Sequence, residues 1–267
     1  MMTTIYILSF VFGTIVGSFL NVLIFRLHTG MSILGRSKCF SCSKELRYFE
    51  MIPLLSFAIQ KGRCRSCMSK ISWQYPIVEF VTGLLFFLSV YFLFPPALFL
   101  NNFYDVISIL CIFAIMSLLV LICVYDIKHK IIPDILSYTF AGLSLFFFIY
   151  SNGISDLLNP PLLYDLLAGP ALALPFALLW LVSKGRWMGL GDAKLMLGVG
   201  WLLGWYGGLS ATILAFWIGA LAGLSLIALK GRKYSIKSEI PFAPFIILST
   251  LLVLFFGIDI FTLMILQ

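Results

Sequence analysis

Two sets of residues in this chain have the types and spacing to do chemistry. The first is Cys39-Phe-Ser-Cys42 and Cys64-Arg-Ser-Cys67, a repeated C-x2-C pair. Each pair offers two thiolates from one tight turn, and two such turns close a tetrahedral, all-sulfur site of the kind zinc favours. Four ligands leave no open position, so the expected role is structural. Two disulfides or four free thiols are the alternatives, the disulfides being disfavoured where the segment faces a reducing cytoplasm. The second set is acidic. Asp126 stands in Val124-Tyr-Asp126 and Asp192 in Gly189-Leu-Gly-Asp192, within strongly apolar surroundings. Charges at membrane level are costly and ask for a function. Two carboxylates in unequal environments can divide the work of an aspartyl protease, one ionised as general base, one protonated as general acid, with a water between them. Each also has a plainer reading. Asp126 could be an interfacial residue solvated beside Lys128 and Lys130, and Asp192 an ordinary helix N-cap.

The elements that must position these residues follow from composition. Of 267 residues, 61% are hydrophobic and only 11% charged, against about 25% charged in a soluble domain. Lipid is therefore the solvent for most of the chain, at about 20 apolar residues per spanning helix. The pattern predicts an all-α polytopic membrane protein with about eight transmembrane helices, near 4–25, 77–98, 105–125, 132–151, 163–183, 193–206, 208–229 and 241–265. The turn signal Gly204-Trp-Tyr-Gly-Gly208 divides a stretch too long for one span. The expected organisation is a first span over 1–25, a four-cysteine subdomain over 26–75 and a transmembrane peptidase core over 76–267. The first apolar run, Ile5 to Phe25, has no basic residue before it and no Ala-x-Ala site, so it reads as a retained span.

All 18 Lys and Arg fall in 26–75 or in the connections holding Lys128 and Lys130, Lys184 to Lys194, and Lys230 to Lys237. In an eight-span arrangement these lie on one side, while the opposite connections carry acids such as Asp156 or no charge. The positive-inside rule makes the basic side cytoplasmic, with both termini outside. This accounts for the net charge of +7 without a nucleic-acid partner. It also puts both aspartates at the cytoplasmic edge on opposite helix ends. Asp126 sits at a C-terminus, where the helix dipole disfavours a negative charge by up to about 1 kcal/mol, and Asp192 at an N-terminus, which favours it. Asp126 is thus the expected proton holder and Asp192 the base, within a pair that titrates as a unit. Gly189 and Gly191 leave room for close approach. Asp134, after Pro133, is expected to cap the next helix and to stand near enough to assist the site. His129 reads as a solvated turn histidine, and Cys111 and Cys123 as small core residues. Glu79 reads as an interfacial acid that caps, snorkels or faces a cytoplasm-connected cavity.

Together these motifs resemble the type IV prepilin leader peptidase/N-methyltransferase family, bacterial aspartyl proteases of the Gly-x-Gly-Asp type. The resemblance runs through Gly17-Ser-Phe-Leu-Asn-Val-Leu-Ile-Phe-Arg26, the cysteine loop with Ile52-Pro-Leu-Leu-Ser56 and Gly62-Arg-Cys-Arg65, Ile71-Ser-Trp-Gln-Tyr-Pro-Ile-Val-Glu79, both aspartate motifs, and Ile240-Pro-Phe-Ala-Pro-Phe245. The last departs from the family pattern by Ala243 in place of glycine. The resemblance implies cleavage of the basic leader of prepilins or pseudopilins after a glycine, at the cytoplasmic face of the bacterial inner membrane, with Asp126 and Asp192 catalytic. It further implies methylation of the new N-terminus with S-adenosylmethionine, for which the chain has no glycine-rich nucleotide fingerprint. A presenilin-like intramembrane protease shares the Tyr-Asp and Gly-x-Gly-Asp elements but needs no cysteine loop. A non-enzymatic transporter would place its acids nearer the bilayer midplane and show inverted repeats.

Overall fold

A computed structural model describes residues 2–29, 35–94, 103–154, 157, 159–230 and 240–260. Asp156, Arg232, Lys233, Lys237 and the far ends of the spans expected to reach residues 98 and 265 lie outside the described residues.

The chain divides into two compact units, Met1–Leu121 and Ile122–Gln267. Unit 1 contains α1 (Met2–Thr29), a 3-10 turn at Tyr48–Glu50, the short α2 (Leu55–Ile59), α3 (Gln74–Leu88) with a π-helical extension over Ser89–Leu93, and the first part of α4 (Phe103–His129). Unit 2 contains the end of α4, then α5 (Asp134–Asn152), α6 (Leu162–Ser183), α7 (Leu190–Lys230) and α8 (Ala243–Phe256). Among the described residues six helices are long and apolar enough to cross a membrane. The protein is an all-α polytopic membrane protein. α8, at 14 residues, is shorter.

The stops follow backbone chemistry. α4 ends where Lys130 takes positive φ and Pro133 follows, and α6 ends on left-handed Lys184. α7 is broken at one residue, Gly204, with φ 70 and ψ -168, a conformation open to glycine. The expected turn over Gly204 to Gly208 is thus narrower than its sequence signal, since Gly207 and Gly208 stay helical. The break frees backbone N–H groups that lipid cannot satisfy. Asp165 of α6 supplies one acceptor, taking the Trp205 N–H on Oδ1 at 2.8 Å. Pro170 inside α6 likewise frees the Leu166 carbonyl, which accepts from Trp201 Nε1 at 2.8 Å.

Packing in both units relies on backbone contact, the usual way helices associate in lipid. A Cβ on Gly13 of α1 would stand 2.8 Å from the Gly83 Cα of α3, and one on Gly200 of α7 would stand 2.6 Å from the Gly169 Cα of α6.

Candidate functional site

In unit 1 the cysteines occupy two turns built alike. Ser43 N donates to Cys39 O and Cys39 N to Lys44 O, both at 2.9 Å; Met68 N donates to Cys64 O at 3.0 Å and Cys64 N to Ser69 O at 2.9 Å. Ser43 and Met68 both adopt positive φ, and isolated bridges pair Lys38 with Glu45 and Arg63 with Lys70. The backbone pattern therefore repeats at a constant offset, a short duplication that extends beyond the repeated C-x2-C spacing itself. It brings Cys39, Cys42, Cys64 and Cys67 together, with all four sulfurs within 4.8 Å of one another. All four are free thiols.

The donor set fits a tetrahedral metal. A zinc–sulfur bond of about 2.3 Å implies sulfurs about 3.8 Å apart, and Cys39 Sγ lies 3.8 Å from Cys67 Sγ. Electrostatics agree. The backbone N–H groups of Cys42 and Ser41 hold the Cys39 thiol down to about 6. The Lys44 N–H acts on Cys42 in the same sense, but desolvation and the Cys67 and Cys39 sulfurs drive it, on balance, up to about 11. Four crowded sulfurs resist ionising together unless a cation neutralises them.

In unit 2 two buried acids stand on opposite helix ends. Asp126 is in the last turn of α4 and Asp192 in the first turn of α7, with 5% and 8% of their surfaces exposed. The Asp126 charge acts on the Asp192 carboxyl. Asp192 N donates to Gly189 O at 3.2 Å. A Cβ on Gly189 would lie 3.6 Å from Asp192 Oδ2, an ordinary contact that the site would tolerate. Gly191 is more constrained. A Cβ there would fall 2.9 Å from Ile132 Cβ, so the first turn of α7 presses on the α4–α5 connection.

A third helix end joins them. Ala243, fully buried as the first residue of α8, donates its N–H to Asp126 Oδ2 at 3.3 Å. The first N–H groups of a helix lack internal partners and carry the positive end of its dipole. α8 thus opposes the unfavourable dipole of α4 at Asp126, and the imbalance between the two acids is smaller than α4 and α7 alone would set. The sequence offered a signal for this in Pro241 and Pro244, which bracket a helix start, but no hint of what that start faces.

Other site residues fall differently from expectation. The α5 N-cap is Pro133, and Asp134 makes no side-chain cap. Its carboxylate instead accepts from Lys194 Nζ at 2.6 Å, tying the starts of α5 and α7, with Lys194 also lying over the Tyr138 ring. Lys194 had been legible only as a marker of the basic face. His129 is half-buried against the Tyr125 ring, centroids 4.6 Å apart, rather than solvated in a turn. Glu79 is buried in unit 1 and accepts the Leu54 N–H at 2.8 Å, so it neither caps nor snorkels. Cys111 and Cys123, by contrast, are buried and half-buried, in keeping with the expected small core residues. An open apolar cleft of ≈ 910 Å³ lies beside the Gly204 break, lined by Tyr164, Asp165, Trp205 and Tyr206 among others. Its one acid is already engaged by the Trp205 N–H, and the rest of its lining is apolar or aromatic.

Known proteins match both halves of the chain. Residues 11–93 match the family model of the bacterial peptidase A24 N-terminal domain, and residues 111–224 that of the type IV leader peptidase family. A prepilin leader peptidase/N-methyltransferase of Bacillus subtilis (strain 168) is 33% identical over 93% of this chain and 93% of its own length. One of Myxococcus xanthus (strain DK1622) is 34% identical over 84% of this chain, which spans 63% of that relative. One of Aeromonas hydrophila is 28% identical over 94% of this chain and 90% of its own length. No solved structure matches. With both of its halves matched and a Bacillus relative aligned nearly end to end, the chain belongs to the type IV leader peptidase family.

Proposed function

We propose that this protein cleaves the basic leader from type IV prepilins or pseudopilins at the cytoplasmic face of the bacterial inner membrane, with Asp126 and Asp192 as its catalytic pair. The carrying observation is two buried carboxylates drawn from opposing helix ends, the charge of Asp126 acting on Asp192. Two buried carboxylates of like charge that act on each other favour a state in which the pair shares one proton. The ionised member takes a proton from water, which attacks the carbonyl of the scissile bond. The protonated member polarises that carbonyl and then donates to the leaving amine. Asp192, at the α7 N-terminus, is the base in this scheme, and Asp126 the acid. Gly191 and Asp134 fix the start of α7, and the Ala243 N–H orients Asp126.

The same enzyme methylates the new N-terminal amine with S-adenosylmethionine; the names of the relatives carry both activities. The four cysteines of a cytoplasmic 26–75 subdomain hold a structural zinc ion, which takes no part in the hydrolytic steps. Eight spans, counting the two halves of α7 separately and including α8, put both termini outside and the basic connections within.

The test is to incubate purified protein with a candidate prepilin and S-adenosylmethionine and to weigh the product. Loss of the leader reads the peptidase, and one added methyl mass reads the transferase. Asp126→Asn and Asp192→Asn should each abolish cleavage while the protein still inserts; normal processing by either overturns the assignment.

A further inference from the structure

Unit 1 carries an apolar surface whose depth along α3 can be read. Exposed apolar side chains recur at Trp73, Ile77, Phe80 and Leu84, a spacing that draws one stripe along a helix. On a membrane span such a stripe faces lipid. Trp73 immediately precedes the helix and is 70% exposed, at the level where tryptophans gather in membrane interfaces.

Two contacts hold α2 at that same level. Phe57 packs on the Trp73 ring, centroids 5.0 Å apart. The Leu54 N–H, immediately before α2, reaches down to Glu79 in the second turn of α3. So placed, α2 presents Leu55 and Ile59, 60% and 68% exposed and four residues apart on one side of the helix. Lys61 and Arg63 follow, both exposed and without an ion pair among the described residues. Apolar side chains beside cations, at the depth of the first turns of a span, is the layout of an element lying in a lipid interface.

We infer that α2 is an interfacial foot of the cysteine subdomain. Leu55 and Ile59 enter the boundary between headgroups and acyl chains, and Lys61 and Arg63 meet anionic phospholipid headgroups. The cysteine turns are thereby laid onto the bilayer surface instead of hanging from their two chain ends. The inference rests on Gln74–Leu93 being a span, and it is independent of the peptidase chemistry.

The experiment compares two full-length variants, Trp73→Phe and Trp73→Phe with Ile59→Trp, in vesicles of phosphatidylcholine and phosphatidylglycerol. Their difference isolates the emission of a tryptophan at position 59. Lipids brominated in the upper acyl chain should quench this emission, and aqueous iodide should leave it unchanged. Quenching by iodide without quenching by the brominated lipid places α2 in water and overturns the inference. Insensitivity to both places it against protein and overturns it equally. Leader cleavage by the same samples reports separately on the peptidase.

Discussion

The four cysteines and the two aspartates are positioned by opposite means. Each cysteine pair is held by a turn whose bonds stay within ten residues, and the turns bury little, since Cys42, Cys67 and their neighbours Phe40 and Met68 are exposed. The aspartate site is assembled from the ends of three helices, and Asp126 and Ala243 are 117 residues apart. It is held by apposed helices more than by local turns. The first arrangement is fixed by local turns and the second by how helices pack.

The largest separation of the two should come from metal removal. Structural zinc contributes about 10–16 kcal/mol to small metal-folded units at neutral pH, and the cysteine turns have no core to replace it. A chelator, or Cys64→Ser, is expected to release the metal and open 35–73 to protease, while far-ultraviolet dichroism keeps the helical signal of the spans. A matched loss of helix would mean that the cysteine turns support the spans as well.

The converse is a packing lesion. Gly200→Leu must force apart the close approach of α7 to α6, and overpacking of this kind costs about 1–3 kcal/mol. α7 begins at the turn that carries Asp192, so the variant should lose leader cleavage and thermal stability yet retain its full metal content. Retained cleavage with reduced stability would show that the first turn of α7 is fixed independently of its middle, through Gly191 against Ile132 and Lys194 with Asp134.

The same contrast explains what the sequence made legible. Cys39, Cys42, Cys64 and Cys67 are readable because their geometry is written in local spacing, and the all-α membrane class because apolar length and charge placement are one-dimensional quantities. Asp126 and Asp192 stand out as charges where lipid disfavours them. What is invisible is whatever depends on which surface faces which. The Ala243 N–H looks like any other backbone donor until α8 is packed. Lys194 reads as one of many cations until α5 and α7 bring it to Asp134. Glu79 reads as an interfacial acid until Leu54 folds back upon it. The duplication of the cysteine turns is announced by the repeated Cys-x-Ser-Cys, but its reach beyond the cysteines is hidden, because there it lives in backbone bonds and side chains such as Ser43 and Met68 share no chemistry.

Asp165 tests the smallest effect and the principle behind the packed unit. The break at Gly204 interrupts the hydrogen-bond ladder of α7 within an apolar helix, and Asp165 accepts the Trp205 N–H from the neighbouring α6. It caps a helix from another helix, so α6 and α7 are joined both by the Gly169–Gly200 contact and by this bond. Losing such a cap costs about 1 kcal/mol, and asparagine caps nearly as well as aspartate. Asp165→Ala should therefore lower the unfolding temperature modestly, and Asp165→Asn should restore it. Leader cleavage should change little in either, because the cap lies on the far side of Gly204 from Asp192. Equal stability of the alanine variant and the parent would mean that the freed N–H groups find other acceptors. A large loss of cleavage with stability intact would mean instead that the angle at Gly204 is transmitted to the first turn of α7, making the two halves of that helix one lever.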